Sequence, residues 1–112
     1  MAKVTRGDAI EAATAALSNL QDDELVASGV RTSLDWLATE HPGRAVEVRV
    51  PPYRAVQILG GATHRRGTPP AVVEMSAQTW LELFTKKITW ADTLSSGQVI
   101  ASGERSDLSE LF

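Results

Sequence analysis

The stretch that most narrows what this chain can fold into is its last third, residues 76–112, where caps, apolar stripes and turn residues follow one another at short spacing. Ser76 is placed to cap a helix whose Trp80, Leu81 and Phe84 share one face at i, i+1 and i+4. Thr89-x-x-Asp92 is a capping-box pattern and predicts a second short helix, with Trp90 and Leu94 on its inner side and Gly97 placed to end it. A strand is expected over residues 98–102, and Gly103 then turns the chain into a terminal helix carrying Leu108, Leu111 and Phe112. Nothing in this run is a catalytic constellation, so it suggests a container before an enzyme.

The first half supplies the rest of the layer. Ile10, Ala13, Leu17 and Leu20 recur at helical spacing within Ala-rich sequence, which predicts a first helix with its apolar stripe on those four residues. A second helix is expected from about Asp22, where Asp22, Asp23 and Glu24 suit the positive end of a helix dipole. Its stripe is Val26, Val30, Ser33/Leu34 and Leu37, with Trp36 at one edge, and His41-Pro42-Gly43 ends it. Residues 45–50 alternate, with Val46, Val48 and Val50 facing one way and Glu47 and Arg49 the other, as in a half-buried strand. Pro51-Pro52 predicts a bent edge in preference to a tight two-residue hairpin before a second strand over residues 53–59, which offers Val56 and Ile58 for burial. Gly60-Gly61 ends that strand, residues 60–70 read as a loop on their Gly and Pro content, and Ala71–Met75 gives a third strand. The order α-α-β-β-β-α-α-β-α argues for an α+β fold, a single mixed or antiparallel sheet of four to five strands with helices packed on one face.

At 112 residues there is room for one domain, spanning residues 1–112, with a core that needs neither disulfides nor metal. The chain has no cysteine, which removes thiol nucleophiles and thiolate ligands together. With 43% hydrophobic and 22% charged residues it has the composition of a soluble globular protein. There is no apolar run long enough to span a bilayer and no apolar segment of a secretory signal near Met1, so a cytoplasmic location is expected.

The net charge of −3 is unevenly spread. Residues 41–70 hold five arginines, Arg44, Arg49, Arg54, Arg65 and Arg66, against Glu47 alone, a cationic island between acidic flanks. With His64 these residues can bind a phosphate or carboxylate head group through charge-assisted hydrogen bonds, or they form a solvated sheet face that makes surface pairs with the acidic helices. No aromatic platform accompanies them, so nucleic acid is not the expected partner.

Catalytic chemistry finds little footing. His41 precedes a proline at a helix end, and His64 lies in a loop with no carboxylate placed beside it by local sequence. No nucleophile elbow, phosphate-binding loop or dinucleotide fingerprint is present, and Asp22-Asp23-Glu24 fits a helix N-terminus better than a metal site. No enzymatic activity, cofactor or metal is therefore expected.

The run T-W-L-E-L-F-T-K-K-I-T-W-A-D-T-L-S-S-G-Q-V-I-A-S-G-E-R-S-D-L, together with V-R-V-P-P-Y-R-A-V-Q and R-R-G-T-P-P-A-V-V-E, resembles the sterol carrier protein type 2 superfamily and is similar to its short bacterial orthologues typical of actinobacteria. The likeness extends from about residue 28 onward. It departs at Thr85-Lys86-Lys87, where the superfamily usually has Gly before the Lys. The resemblance implies a curved five-stranded sheet and helices that form one wall of an apolar cavity, which in relatives accommodates fatty acyl chains, acyl-CoA, sterols or phospholipids. The fifth strand would come from part of residues 61–68. Candidate lining residues are Trp36, Leu37, Val48, Val56, Ile58, Trp80, Leu83, Phe84, Trp90, Leu94 and Ile100, and candidate head-group residues are Arg49, Arg54, His64, Arg65 and Arg66. Filling of the core is the competing role for each apolar one. Three functions are compatible with this reading: a carrier of lipid or another apolar ligand, a domain that keeps the fold without the cavity and binds a protein partner or forms a homodimer, and an accessory domain of a thiol-dependent enzyme.

Overall fold

The computed structural model describes residues 3–60, 71–103 and 106–112. The first helix, α1, spans Arg6–Leu17 and starts with a reciprocal cap: the Asp8 N–H donates to Thr5 Oγ1 at 3.1 Å and the Thr5 N–H to Asp8 Oδ2 at 3.0 Å. Two orphan donors of the first turn are thereby satisfied. The second, α2, spans Asp23–Glu40 with Asp22 as its cap, accepting from the Glu24 and Leu25 N–H groups at 3.1 and 3.2 Å. Strands β1 (Val46–Val50), β2 (Arg54–Ile58) and β3 (Ala71–Met75) follow. Helices α3 (Ala77–Phe84) and α4 (Trp90–Ser96) lead to β4 (Val99–Ser102), and a single 3-10 turn, Ser109–Leu111, lies near the C-terminus.

Among the described residues the sheet has four strands in the order β2-β1-β3-β4, with antiparallel outer pairs and a parallel central pair. This mixed sheet with helices gives the expected α+β class. Register decides which side chains meet: Val46, Val48 and Val50 of β1 stand opposite Ile58, Val56 and Arg54 of β2 and share their face with Ala71 and Val73 of β3. Val46, Val48, Val50, Ile58 and Val73 are fully buried, each contributing about 1.5–3 kcal/mol by leaving water. The opposite face carries Glu47, Arg49, Glu74 and Ile100, with Arg49 and Ile100 exposed, so the helices cover one side of the sheet only.

Three expectations need correcting. The stripe of α1 is Ala9, Ala13 and Ala16, with Ile10 and Leu17 half-buried and Leu20 exposed. The reason is the close approach of α2: a Cβ built on Gly29 would lie 2.6 Å from Ala16 Cβ and 2.9 Å from the Ala12 carbonyl oxygen, so only small residues fit between the two helices. Pro51-Pro52 does not bend the edge away. Val50 pairs with Arg54 across a three-residue turn in which the Tyr53 N–H donates to the Val50 carbonyl at 3.0 Å, and both prolines occupy the turn, where the ladder needs no donor from them. The terminal helix is one 3-10 turn, too short to carry a stripe, although Leu108 is buried beside it. The proposed fifth strand at residues 61–68 falls outside the described residues.

Helices α3 and α4 begin as the sequence indicates. The Thr79 N–H donates to Ser76 Oγ at 3.2 Å, Thr89 and Asp92 cap each other, and Gly97 ends α4 in the left-handed conformation at φ 75°. The end of α3 is less ordinary. The Lys86 N–H donates to the Leu83 carbonyl at 3.0 Å and the Lys87 N–H to the Glu82 carbonyl at 2.8 Å, the bond pair of a Schellman motif. Its left-handed position is filled by Lys86 at φ 64°, where glycine would be favoured.

Candidate functional site: an aromatic crevice between helix ends

The ends of three helices converge on a crevice of about 300 Å³ lined by Arg6, Trp36, Leu37, His41, Leu83, Phe84, Lys86, Glu110, Leu111 and Phe112. Helix α1 contributes its first residue, α2 its last two turns, α3 its closing turn, and the C-terminal segment the remaining wall. The floor is apolar because the buried stripes of α2 and α3 end there: Leu37, Leu83 and Phe84 are buried, and Trp36, Leu111 and Phe112 are half-buried.

Behind the floor stands a continuous train of rings. Trp36 meets Phe84 edge-on at 5.8 Å between centroids, Phe84 stacks on Trp80 at 5.4 Å, Trp80 meets Phe112 edge-on at 5.7 Å, and Phe112 stacks on Trp90 at 6.2 Å. Offset and edge-on pairs of this kind each add about 0.5–1.5 kcal/mol beyond the area they bury. Trp80 is anchored by its indole nitrogen, which donates to Ser33 Oγ at 2.8 Å, while the Ser33 hydroxyl is bonded to the Gly29 and Val30 carbonyls. Trp90 is different: its Nε1 is buried and completes no hydrogen bond. The Asp107 carboxylate, which accepts from the Ser109 N–H at 2.9 Å, is held below the ordinary carboxylate range first by that backbone N–H and then by the Ser109 side chain.

At the rim, Arg6, Lys86 and Glu110 are exposed and His41 is half-buried. Among the described residues neither Arg6 nor Lys86 makes an ion pair; the pairs that form lie elsewhere, Arg49 with Glu47 and Arg54 with Asp35. No group of three or more His, Asp or Glu side chains among the described residues is arranged to hold a metal ion.

Trp36, Leu37, Leu83 and Phe84 meet at the crevice, and Trp80 and Trp90 stand behind it. Val48 and Ile58 fill the core beneath the helices, and Val56 is half-buried on the same face of the sheet. Two lining candidates are corrected. Ile100 is 67% exposed because it pairs with Glu74 on the uncovered face of the sheet. Leu94 is 47% exposed because the buried face of α4 runs from Trp90 to Thr93, one position short of it. Of the head-group candidates, Arg49 is on the far side of the sheet beside Glu47, and Arg54 reaches Asp35 of α2 at 2.7 Å, so these two do not meet at the crevice. Arg44 is exposed and does not line the crevice, and His64, Arg65 and Arg66 lie outside the described residues. The cations that do line it, Arg6 and Lys86, come from acidic parts of the sequence. The signal for Lys86 was available as the lysine occupying a helix-ending position that favours glycine.

A family model described as bacterial SCP ortholog matches residues 22–112, which is everything from the cap of α2 to the end of the chain. The chain belongs to the bacterial SCP ortholog family. The match includes every strand and all of the crevice wall except Arg6, which α1 brings from outside it. No curated protein matches the chain. Among the described residues of this family member no helix is long and apolar enough to cross a membrane.

Proposed function

We propose that this bacterial SCP ortholog binds a lipid or another apolar ligand and catalyses no reaction of its own. The observation that carries the reading is the crevice: a concave site whose floor is Leu37, Leu83, Phe84 and the edges of Trp36 and Phe112, at the lower end of the size range of small-molecule pockets. A ligand chain laid on that floor gains about 0.8 kcal/mol for each methylene it removes from water. The same floor offers little to a reaction. Among the described residues no side chain orients the His41 imidazole, and no hydroxyl nucleophile lines the crevice. Extraction of the natively purified protein followed by mass spectrometry, with displacement of a fluorescent fatty acid in parallel, tests the reading. Recovery of bound lipid and displacement are expected; failure of both counts against it.

A second reading is supported by the bare side of the sheet. Strand β4 is an edge among the described residues, residues 95–103 carry no charge, and Ile100 is exposed on the uncovered face. Edge strands are ordinarily protected by charge or proline, so this one suits antiparallel pairing with a second copy about Ile100. Light scattering of the wild-type chain and of Ile100→Lys decides it: a dimer that the substitution converts to monomer is expected, and a monomeric wild type overturns it.

A further inference from the structure

Glu74 is an anion without a cation among the described residues. It is half-buried on the uncovered face of the sheet, and its ladder neighbour on β1, Arg49, donates to Glu47 instead. The Glu74 carboxylate enters no ion pair there. On its other side Glu74 stands opposite Ile100 of β4, which is 67% exposed, and the two line a hollow of about 270 Å³ with Pro51 and Gln98. No strand lies beyond β4 among the described residues, and residues 95–103 hold no charge that would guard the edge or answer Glu74.

We propose that the edge of β4 receives an extended peptide segment of another protein that carries an arginine or lysine opposite Ile100. Neighbouring strands lie about 4.8 Å apart, so Glu74 stands two strands, about 10 Å, from the backbone of a segment paired with β4. A long cationic side chain at that position lays its methylene stem on Ile100 and carries its head to the Glu74 carboxylate, and arginine presents a fork that matches it. Main-chain hydrogen bonds along β4 supply the affinity, and this side chain selects the partner. The proposal rests on β4 being an open edge, as the second-copy reading does, and differs in the occupant. A second copy paired about Ile100 sets Ile100 against Ile100 and brings no cation from residues 95–103, so the two occupants compete for one edge.

Fluorescence anisotropy of the labelled peptide acetyl-VTVRVTV-amide with the full chain tests this. The peptide reads the same in both directions, and with its arginine at Ile100 it sets threonine beside Gln98 and Ser102 and valine beside Val99 and Ala101. A control peptide carries citrulline in place of the arginine, which keeps the length and loses the charge. The arginine peptide is expected to bind at least about tenfold more tightly, by an amount that shrinks as salt is added. Glu74→Gln is expected to bring the two peptides to equal affinity, and Ile100→Lys, a change at an exposed position, to abolish the binding of both. Equal affinity of the two peptides for the wild-type chain overturns the recognition by Glu74 and leaves β4 an open edge. A wild-type dimer that excess peptide fails to dissociate assigns the edge to the second copy and overturns the proposal. A monomeric wild type that binds neither peptide overturns both uses of the edge.

Discussion

The Trp80 indole nitrogen donates to Ser33 Oγ at 2.8 Å, joining α3 to α2 across 47 positions of sequence inside the core. Both residues are fully buried, so the bond has no water to replace it. Ser33→Ala removes the acceptor and leaves the indole N–H unsatisfied, which costs about 1–3 kcal/mol of stability. Chemical denaturation measures the loss. Trp80→Phe in the Ser33→Ala background should cost less than the two single losses added, because the orphaned donor has gone with the indole.

The crossing of α1 over α2 depends on Gly29. A methyl there meets Ala16 Cβ at 2.6 Å and the Ala12 carbonyl oxygen at 2.9 Å, and the second neighbour is backbone that cannot step aside. Gly29→Ala is therefore expected to destabilise the protein by about 1–3 kcal/mol, despite the better helix propensity of alanine. Ala16→Gly should recover only part of this, since it relieves one contact of the two. Full recovery, or a stabilised Gly29→Ala variant, would show that the helices are not held this closely.

That crossing also marks where the sequence stops being legible. Caps and strand alternation are local: Ser76, Thr89 with Asp92, Gly97 and the Val46, Val48, Val50 face act within a few residues, and each has the expected place in the structure. The stripe of α1 is not local, because what calls for a small residue at Ala16 is the close approach of Gly29 on another helix. The crevice behaves in the same way. Trp36, Leu37 and Phe84 lie on or beside the apolar stripes read from the sequence and Leu83 entered only with the resemblance, but Arg6, Lys86 and Glu110 are brought to the rim from three separate parts of the chain. Two of the clustered arginines show the same limit: Arg49 and Arg54 are five positions apart across the turn, yet register puts them on opposite faces of the sheet.

Acid should weaken the fold through two exposed aspartates. The Asp8 carboxyl is lowered by the Thr5 backbone N–H and then its hydroxyl, and Asp107 by the Ser109 backbone N–H and side chain. A carboxylate whose folded value is depressed contributes stability that is present above its unfolded value, about 3.9, and is lost as pH falls through the folded one. The unfolding midpoint is accordingly expected to be insensitive to these two groups at neutral pH and to fall below about pH 4. Asp8→Asn, followed by thermal denaturation across the acid range, should flatten that decline; an unchanged acid slope in both Asp8→Asn and Asp107→Asn would remove these two carboxylates from the account.

Lys86 occupies a backbone position that glycine would hold at lower cost. The left-handed conformation costs a residue with a Cβ about 1 kcal/mol, and glycine escapes that cost while keeping both hydrogen bonds of the Schellman turn, which use backbone N–H groups only. Lys86→Gly is expected to raise the unfolding free energy by up to about 1 kcal/mol, offset in part by the greater freedom of glycine in the unfolded chain. Lys86→Ala is the control, since it removes the ammonium and retains the Cβ: it should not become more stable than wild type. A glycine variant less stable than wild type in chemical denaturation would mean that the Lys86 side chain contributes to the fold more than its backbone conformation costs.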